Sequence, residues 1–214
     1  RFRHLLERYR LADQIFALVG EHLEAKGLMV KAGTIVDATL IAAPPSTKNR
    51  ARARDPEMRQ TRKGKDWHFG MKLHVGTDTN GTVHSLTATH AAVGDITQLP
   101  ELLHGAEAVL YGDQAYWSEF HRDCAKAAGV RYRVNRRPGG SKTLTAVQKR
   151  LNRSRSRARA RGEHAFRIVK HLWGFRKVRY RGLAKNLARA KVAFALANLY
   201  ALRRQLLPPQ PRYA

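Results

Sequence analysis

Downstream of Asp123 the chain carries a single acidic side chain, Glu163, in a stretch that holds 25 Lys and Arg. A surface built only to bind a polyanion has no use for a carboxylate at its centre, whereas a metal site acting on a phosphodiester needs one. The alternative is a helix ion pair with Arg159 and Arg167, four residues to either side, worth roughly 0.2–0.5 kcal/mol each. Asp37 is the one charged residue in the β-branched, mostly apolar run 34–41, which reads as a buried strand. Burying an unpaired carboxylate is costly, so Asp37 is a candidate for metal ligation or charge pairing. Asp113 follows the strand-like run 108–112 and precedes a helical pattern at 117–128. The carboxyl end of a strand ahead of a helix is where α/β sheets place functional groups; the competing role is a helix cap.

Periodicity supplies the elements that must hold these acids in place. Apolar residues at three- and four-residue steps predict an amphipathic helix over 4–25, stopped by Gly27. Residues 44–66 show no periodicity and read as a long polar loop, with Pro44-Pro45 and a basic run at 50–54. Residues 67–77 and 82–89 form a hairpin around Asp78-Thr79-Asn80-Gly81, where Asn-Gly is the turn signal, so Asp78 is a turn residue. Asp95 is expected to cap a helix running through Leu99, Leu102 and Leu103 to Gly105. A strand at 130–134 and a loop at 136–140 follow.

Residues 144–173 then read as one long helix, with Phe166, Val169, Leu172 and Trp173 on its apolar side. Arg159, Glu163 and Lys170, at steps of four and seven, share one face of it. Gly174 ends that helix, 175–180 is extended, and a closing helix spans 183–207 before Pro208-Pro209.

Charge and composition narrow the function classes. The 41 Lys and Arg outnumber 16 Asp and Glu, and the excess is confined to 124–214, where 25 basic residues face one acid. Residues 1–123 hold 16 basic and 15 acidic groups. Such a field implies a polyanionic partner, and nucleic acid is the expected one. A hydrophobic content of 43% supports a real core and excludes a purely disordered basic tail. The single Cys124 cannot form an internal disulfide, no Cys/His spacing suggests structural zinc, and a reducing cytoplasm fits. His68, His74, His84 and His90 lack the close pairing of metal ligands. No apolar run of about 18 residues and no signal peptide indicate membrane insertion or export.

The element order resembles the RNase H-like plan, an α/β fold with a mixed five-stranded sheet flanked by helices, here with a basic C-terminal helical region. That plan takes one acid from the first strand, one from the end of the fourth and one from a later helix, which selects Asp37, Asp113 and Glu163. Over nearly its whole length the chain also resembles bacterial insertion-sequence transposases of the DDE class, in the branch discussed with IS-four and IS-five elements. The resemblance is carried by Gly33-Thr34-Ile35-Val36-Asp37-Ala38-Thr39, Lys63-Gly64-Lys65, Phe69-Gly70-Met71-Lys72-Leu73-His74, Tyr111-Gly112-Asp113-Gln114-Ala115-Tyr116, and Arg159 with Glu163 and Lys170. The last group is similar to the branch's Tyr-x2-Arg-x3-Glu-x6-Lys signature, with Ser156 in place of the Tyr.

The resemblance implies metal-dependent cleavage and strand transfer at element ends. Two Mg²⁺, replaceable by Mn²⁺, would be held by oxygen ligands alone, with Asp37 bridging and Asp113 and Glu163 on one ion each. Arg159 and Lys170 are expected on DNA phosphates, with Lys72, Arg161 and Arg167 as further contacts. The implied partners are double-stranded DNA, as terminal inverted repeats and target, and a second copy of the chain on that DNA. The expected segments are a helical lead-in at 1–32, a catalytic domain at 33–182, and a C-terminal helix and tail at 183–214. The chain opens without Met, and the family's usual amino-terminal segment is expected to be missing. Two alternatives stay open: a truncated DNA-binding remnant without catalysis, and an RNase H-like nuclease that hydrolyses without joining strands.

Overall fold

The computed structural model describes residues 2–50, 52–138 and 143–207; Gly139-Gly140 of the predicted loop and the Pro208-Pro209 tail lie outside them. At the centre of a six-stranded mixed sheet is β1 (Gly33–Ala42). It pairs antiparallel with β3 (Asp66–Asp78), from Thr34 opposite Asp78 to Ala42 opposite Gly70, and parallel with β5 (Val109–Gly112). The long β3 also pairs antiparallel with β2 (Arg59–Lys63) and with β4 (Val83–His90), while β5 pairs parallel with β6 (Arg131–Val134). Antiparallel strands thus give way to parallel ones reached through helices, and the chain has the RNase H-like α/β fold.

Of the six strands, β2 was not expected, because residues 59–63 fall inside the segment read as loop. Arg59-Gln60-Thr61-Arg62-Lys63 has no apolar alternation; pairing with Asp66–Gly70 of β3 makes it a strand, and tertiary context overrides local propensity there. The rest of that polar loop is fastened as well. Asp55 Oδ2 accepts from the Gly182 amide at 2.7 Å and Glu57 Oε2 from the Leu183 amide at 2.8 Å, satisfying amides at the start of α7 (Leu183–Ala201).

Successive β1 side chains face opposite ways, and each face is covered. Ile41 joins Met71, Leu73, Val75, Val169 and Phe194 in the larger core, which α7 closes. Val36 joins Leu99, Leu102, Leu110, Tyr116 and Val134 in the smaller one. Two buried asparagines fix α7. Asn198 exchanges both amide hydrogen bonds with the Val83 backbone at 2.8 Å, and Asn186 Nδ2 donates to the Tyr180 and Gly182 carbonyls at 2.7 Å. The expected closing helix stops at Leu202 and resumes as a short turn, Arg203–Leu206. At the other end, the single predicted helix divides into α1 (Phe2–Arg8) and α2 (Leu11–Ala25). Arg10 adopts a left-handed conformation between them, its guanidinium paired with Asp13.

The largest departure is the predicted long helix, which is three pieces. Helix α5 (Ala146–Arg159) ends in a turn at 160–162; a helical turn, Glu163–Phe166, follows, and Arg167–Leu172 winds as a π-helix. The break has two causes. Gly162 lies so close to the sheet that a Cβ there would sit 3.0 Å from Thr77 Oγ1 and 3.1 Å from Ile35 Cγ2. The tip of the β3–β4 hairpin also presses on the turn: Arg161 Nη1 donates to the Thr79 carbonyl at 3.2 Å, and a Cβ on Gly81 would meet the Arg161 oxygen at 2.5 Å. Asp78 braces this tip as the expected turn residue, accepting from the amides of Val30, Asn80 and Thr82. The wider π turn shifts the angular register, so Val169 is buried whereas Leu172 and Trp173, expected on the apolar side, reach the surface.

Gly81 combines a φ of 91° with that backbone contact, whereas Gly20 in α2 has open space around it. Gly81→Ala is expected to cost about 1–3 kcal/mol by denaturant unfolding, and Gly20→Ala to stabilise by roughly 0.5–1 kcal/mol.

Candidate functional site

The three acids come from three unrelated elements and open into one cavity of about 1070 Å³. Asp37 sits midway along β1, Asp113 directly follows β5, and Glu163 begins the helical turn after the break. Arg159, Arg167 and Lys170 line the same cavity, as do Lys72 and Asp95. Arg159, Glu163 and Lys170 therefore share a site, although the continuous helical face that predicted it is interrupted. Arg161 is not among the lining residues; its guanidinium is turned to the hairpin tip.

Asp37 is the electrostatic centre. Burial raises its carboxyl above the ordinary carboxylate range, and Asp113 and Glu163 raise it further. Arg159 and the Ala38 amide, which donates to Oδ1 at 2.9 Å, pull the other way. Arg159 Nη2 lies 3.5 Å from Asp37 Oδ2, a loose ion pair, and its Nε is buried without a partner among the described residues. Glu163 is exposed and makes no ion pair with Arg159 or Arg167 among the described residues. The helix ion pair considered for it is not formed. Asp113 does take a capping role, accepting from the Ala115 amide at 2.7 Å through Oδ1, but it caps a 3-10 turn, Gln114–Tyr116. The helix beyond, α4 (Glu119–Ala127), has Ser118 as its own cap.

Two cations are partly committed within the protein. Lys170 Nζ donates to Thr39 Oγ1 at 2.8 Å and the Leu40 carbonyl at 3.1 Å, tying the π-helix to β1; burial, with Lys63 and Arg176 nearby, holds its pKa below the usual lysine value. Lys72 Nζ donates to Asp95 Oδ1 and to the Val93 carbonyl, both at 2.8 Å. Asp95 is thus not the expected helix cap: Gly94 occupies that position, and the Asp95 side chain turns to Lys72 at the cavity wall. An acid ahead of an apolar run looks the same in sequence whether it caps a helix or holds a lysine. Behind this pair His74 is fully buried, bonded through Nε2 to Thr89 Oγ1 at 2.8 Å, and burial lowers its pKa to about 4, so it is neutral at pH 7. Lys63, from the Lys63-Gly64-Lys65 motif, also lines the cavity, as does Thr61, which carried no signal because β2 carried none.

Among the described residues, no three His, Cys, Asp or Glu side chains are drawn together closely enough to hold a metal ion. Asp113 and Glu163 each disfavour the charged form of Asp37, and Arg159 and the Ala38 amide oppose them. The donor set nevertheless suits a hard divalent cation. It offers oxygen ligands from three carboxylates and a surplus of negative charge that the cation would neutralise.

The family model of the transposase DDE domain matches residues 29–199, and the chain belongs to that family. Transposases of this class act on DNA, and their DDE domains generally use divalent metals. Among the described residues no helix is long and apolar enough to cross a membrane.

The raised pKa of Asp37 fixes a pH dependence. A carboxyl whose folded pKa lies above its unfolded value favours the fold when protonated, and loses that contribution as pH rises through the folded pKa. Without divalent cations, Asp37→Asn is therefore expected to melt higher than the parent at pH 7, by roughly 2–4 °C for each kcal/mol relieved. The difference should shrink as pH falls through the raised folded pKa and vanish below about 4, the unfolded value. A mutant that melts lower than the parent at pH 7 would contradict this electrostatic picture.

Proposed function

We propose that this chain is a bacterial insertion-sequence transposase of the branch discussed with IS-four and IS-five elements, cutting element ends and joining them to target DNA. The observation that carries the reading is that Asp37, Asp113 and Glu163 enter one cavity from separate elements, rimmed by Arg159, Arg167 and Lys170. The three carboxylates would hold two Mg²⁺ or Mn²⁺, which supply a more acidic attacking hydroxyl and stabilise the departing 3′-oxygen. Each step exchanges one P–O bond for another, so no external energy source is needed.

The chain's own cations act on the substrate. Arg159, only loosely paired with Asp37, would turn its guanidinium to a phosphate beside the scissile bond, whereas Lys170 offers its remaining N–H as a point charge. Arg167 extends the rim, Lys72 contributes from the opposite wall, and Arg161 is assigned to DNA outside the cavity. Residues 33–182 form the catalytic unit, with 1–32 and 183–214 as helical lead-in and closing segment. The protein works in the bacterial cytoplasm at the nucleoid, on terminal inverted repeats and target duplex, as a dimer assembled on DNA.

A second reading, a DNA-binding transposase derivative that does not cut, is favoured by the spread of the three acids and the engagement of Asp37 by Arg159. Cleavage and joining of labelled element-end DNA in Mg²⁺ or Mn²⁺ separates the readings. The transposase predicts metal-dependent cut and joined products that Glu163→Gln reduces by about 10³-fold or more while duplex binding is kept. Cutting without joining indicates a nuclease, and salt-sensitive binding without products the non-cutting form.

A further inference from the structure

Helix α5 is unusual in what it lacks. Six of its 14 residues are Lys or Arg, none is acidic, and none is buried. Its inward side is held by polar bonds: Asn152 exchanges two hydrogen bonds with the Arg136 backbone, Arg155 donates to the Val134 carbonyl, and Ser156 accepts from Asn135. The outward side presents Lys149, Arg150, Arg153 and Arg157, all exposed and without an ion pair to any described acid. Arg150, Arg153 and Arg157 follow one another at steps of three and four, so they share a face and repel each other. A helix with no buried apolar stripe is normally sustained by oppositely charged i,i+4 pairs; α5 has none, and its two large apolar residues, Val147 and Leu151, are themselves exposed.

We propose that this outward face is a phosphate-binding track for duplex DNA, continuous with the catalytic cavity and serving DNA beyond the scissile site. This assignment rests on the DNA-processing reading above. Continuity comes from Arg159, which ends α5 inside the cavity. From there the helix runs back about 14 Å to Arg150 at 1.5 Å per residue, a span of roughly four nucleotides of one duplex strand at about 3.4 Å of axis per phosphate. Beside α5, Arg136, whose backbone bonds to Asn152, stacks 5.2 Å over the Trp117 ring. A polyanion supplies the counter-charge the helix does not have, and contacts to phosphates carry no sequence information.

The test is the salt dependence of binding to a random-sequence duplex, measured for the intact chain and for Arg150→Gln, Arg153→Gln and Arg157→Gln combined. Each lost phosphate contact lowers the slope of log K against log salt by about 0.9, so the triple variant should lose roughly 2–3 units of slope. Its melting temperature should be no lower than the parent's, because like-charge repulsion is relieved. Arg8→Gln with Lys26→Gln, on α1 and just past α2, should leave the slope unchanged. A triple variant that keeps the parental slope, or that loses no more than the control pair, overturns the track while leaving the DNA-processing reading intact. Preference of the same face for duplex RNA over duplex DNA in competition also overturns it. A parent chain that binds no duplex at all removes both the track and the reading it rests on.

Discussion

A carboxylate on the central strand of a two-faced sheet has to be answered by charge, and Asp37 is answered only in part. Burial and two neighbouring acids disfavour its ionised form, and the Arg159 guanidinium at 3.5 Å is a loose counterweight. The pair joins β1 to the end of α5 and so links the oldest part of the sheet in chain order to the helices that complete the site. The remaining negative charge would favour a divalent cation in the cavity, and the surrounding Arg and Lys would favour a phosphate.

Glu163 reaches that cavity because the helix carrying it is broken. A straight helix from α5 would carry the chain past the sheet without the close approach of Gly162 to Ile35 and Thr77. The hairpin tip, held rigid by three amides on the buried Asp78 carboxylate, fills the space where the break occurs. Lys170 then anchors the π-wound segment back onto β1. Sheet, hairpin and interrupted helix therefore fix one another, and the catalytic candidates sit where all three meet.

Much of this was legible in sequence. The isolation of Glu163 among basic residues, the lone charge of Asp37 in an apolar run and the strand-end position of Asp113 each pointed to the cavity, and the antiparallel-then-parallel strand order gave the fold. What escaped depends on contacts distant in sequence. Strand β2 exists because β3 is long enough to pair with it, and no residue within 59–63 signals that. The helix break at 160–162 is imposed by the hairpin tip some 80 residues earlier, with Gly162 the one local hint. Asp95 carries the residue type of a cap, and only the three-dimensional position of Lys72 reassigns it. Asn186 and Asn198, which fasten α7, look like ordinary polar residues on a helix until their buried backbone partners are seen.

The central claim is that Asp37, Asp113 and Glu163 act together on divalent cations. Titrating the protein on duplex DNA with Mn²⁺, reading the free ion by electron paramagnetic resonance, tests it most directly. The account predicts saturable binding to the parent chain that is weakened by each of Asp37→Asn, Asp113→Asn and Glu163→Gln taken singly. An isotherm that none of the three substitutions changes, or a parent chain that takes up no Mn²⁺ on DNA, would contradict it.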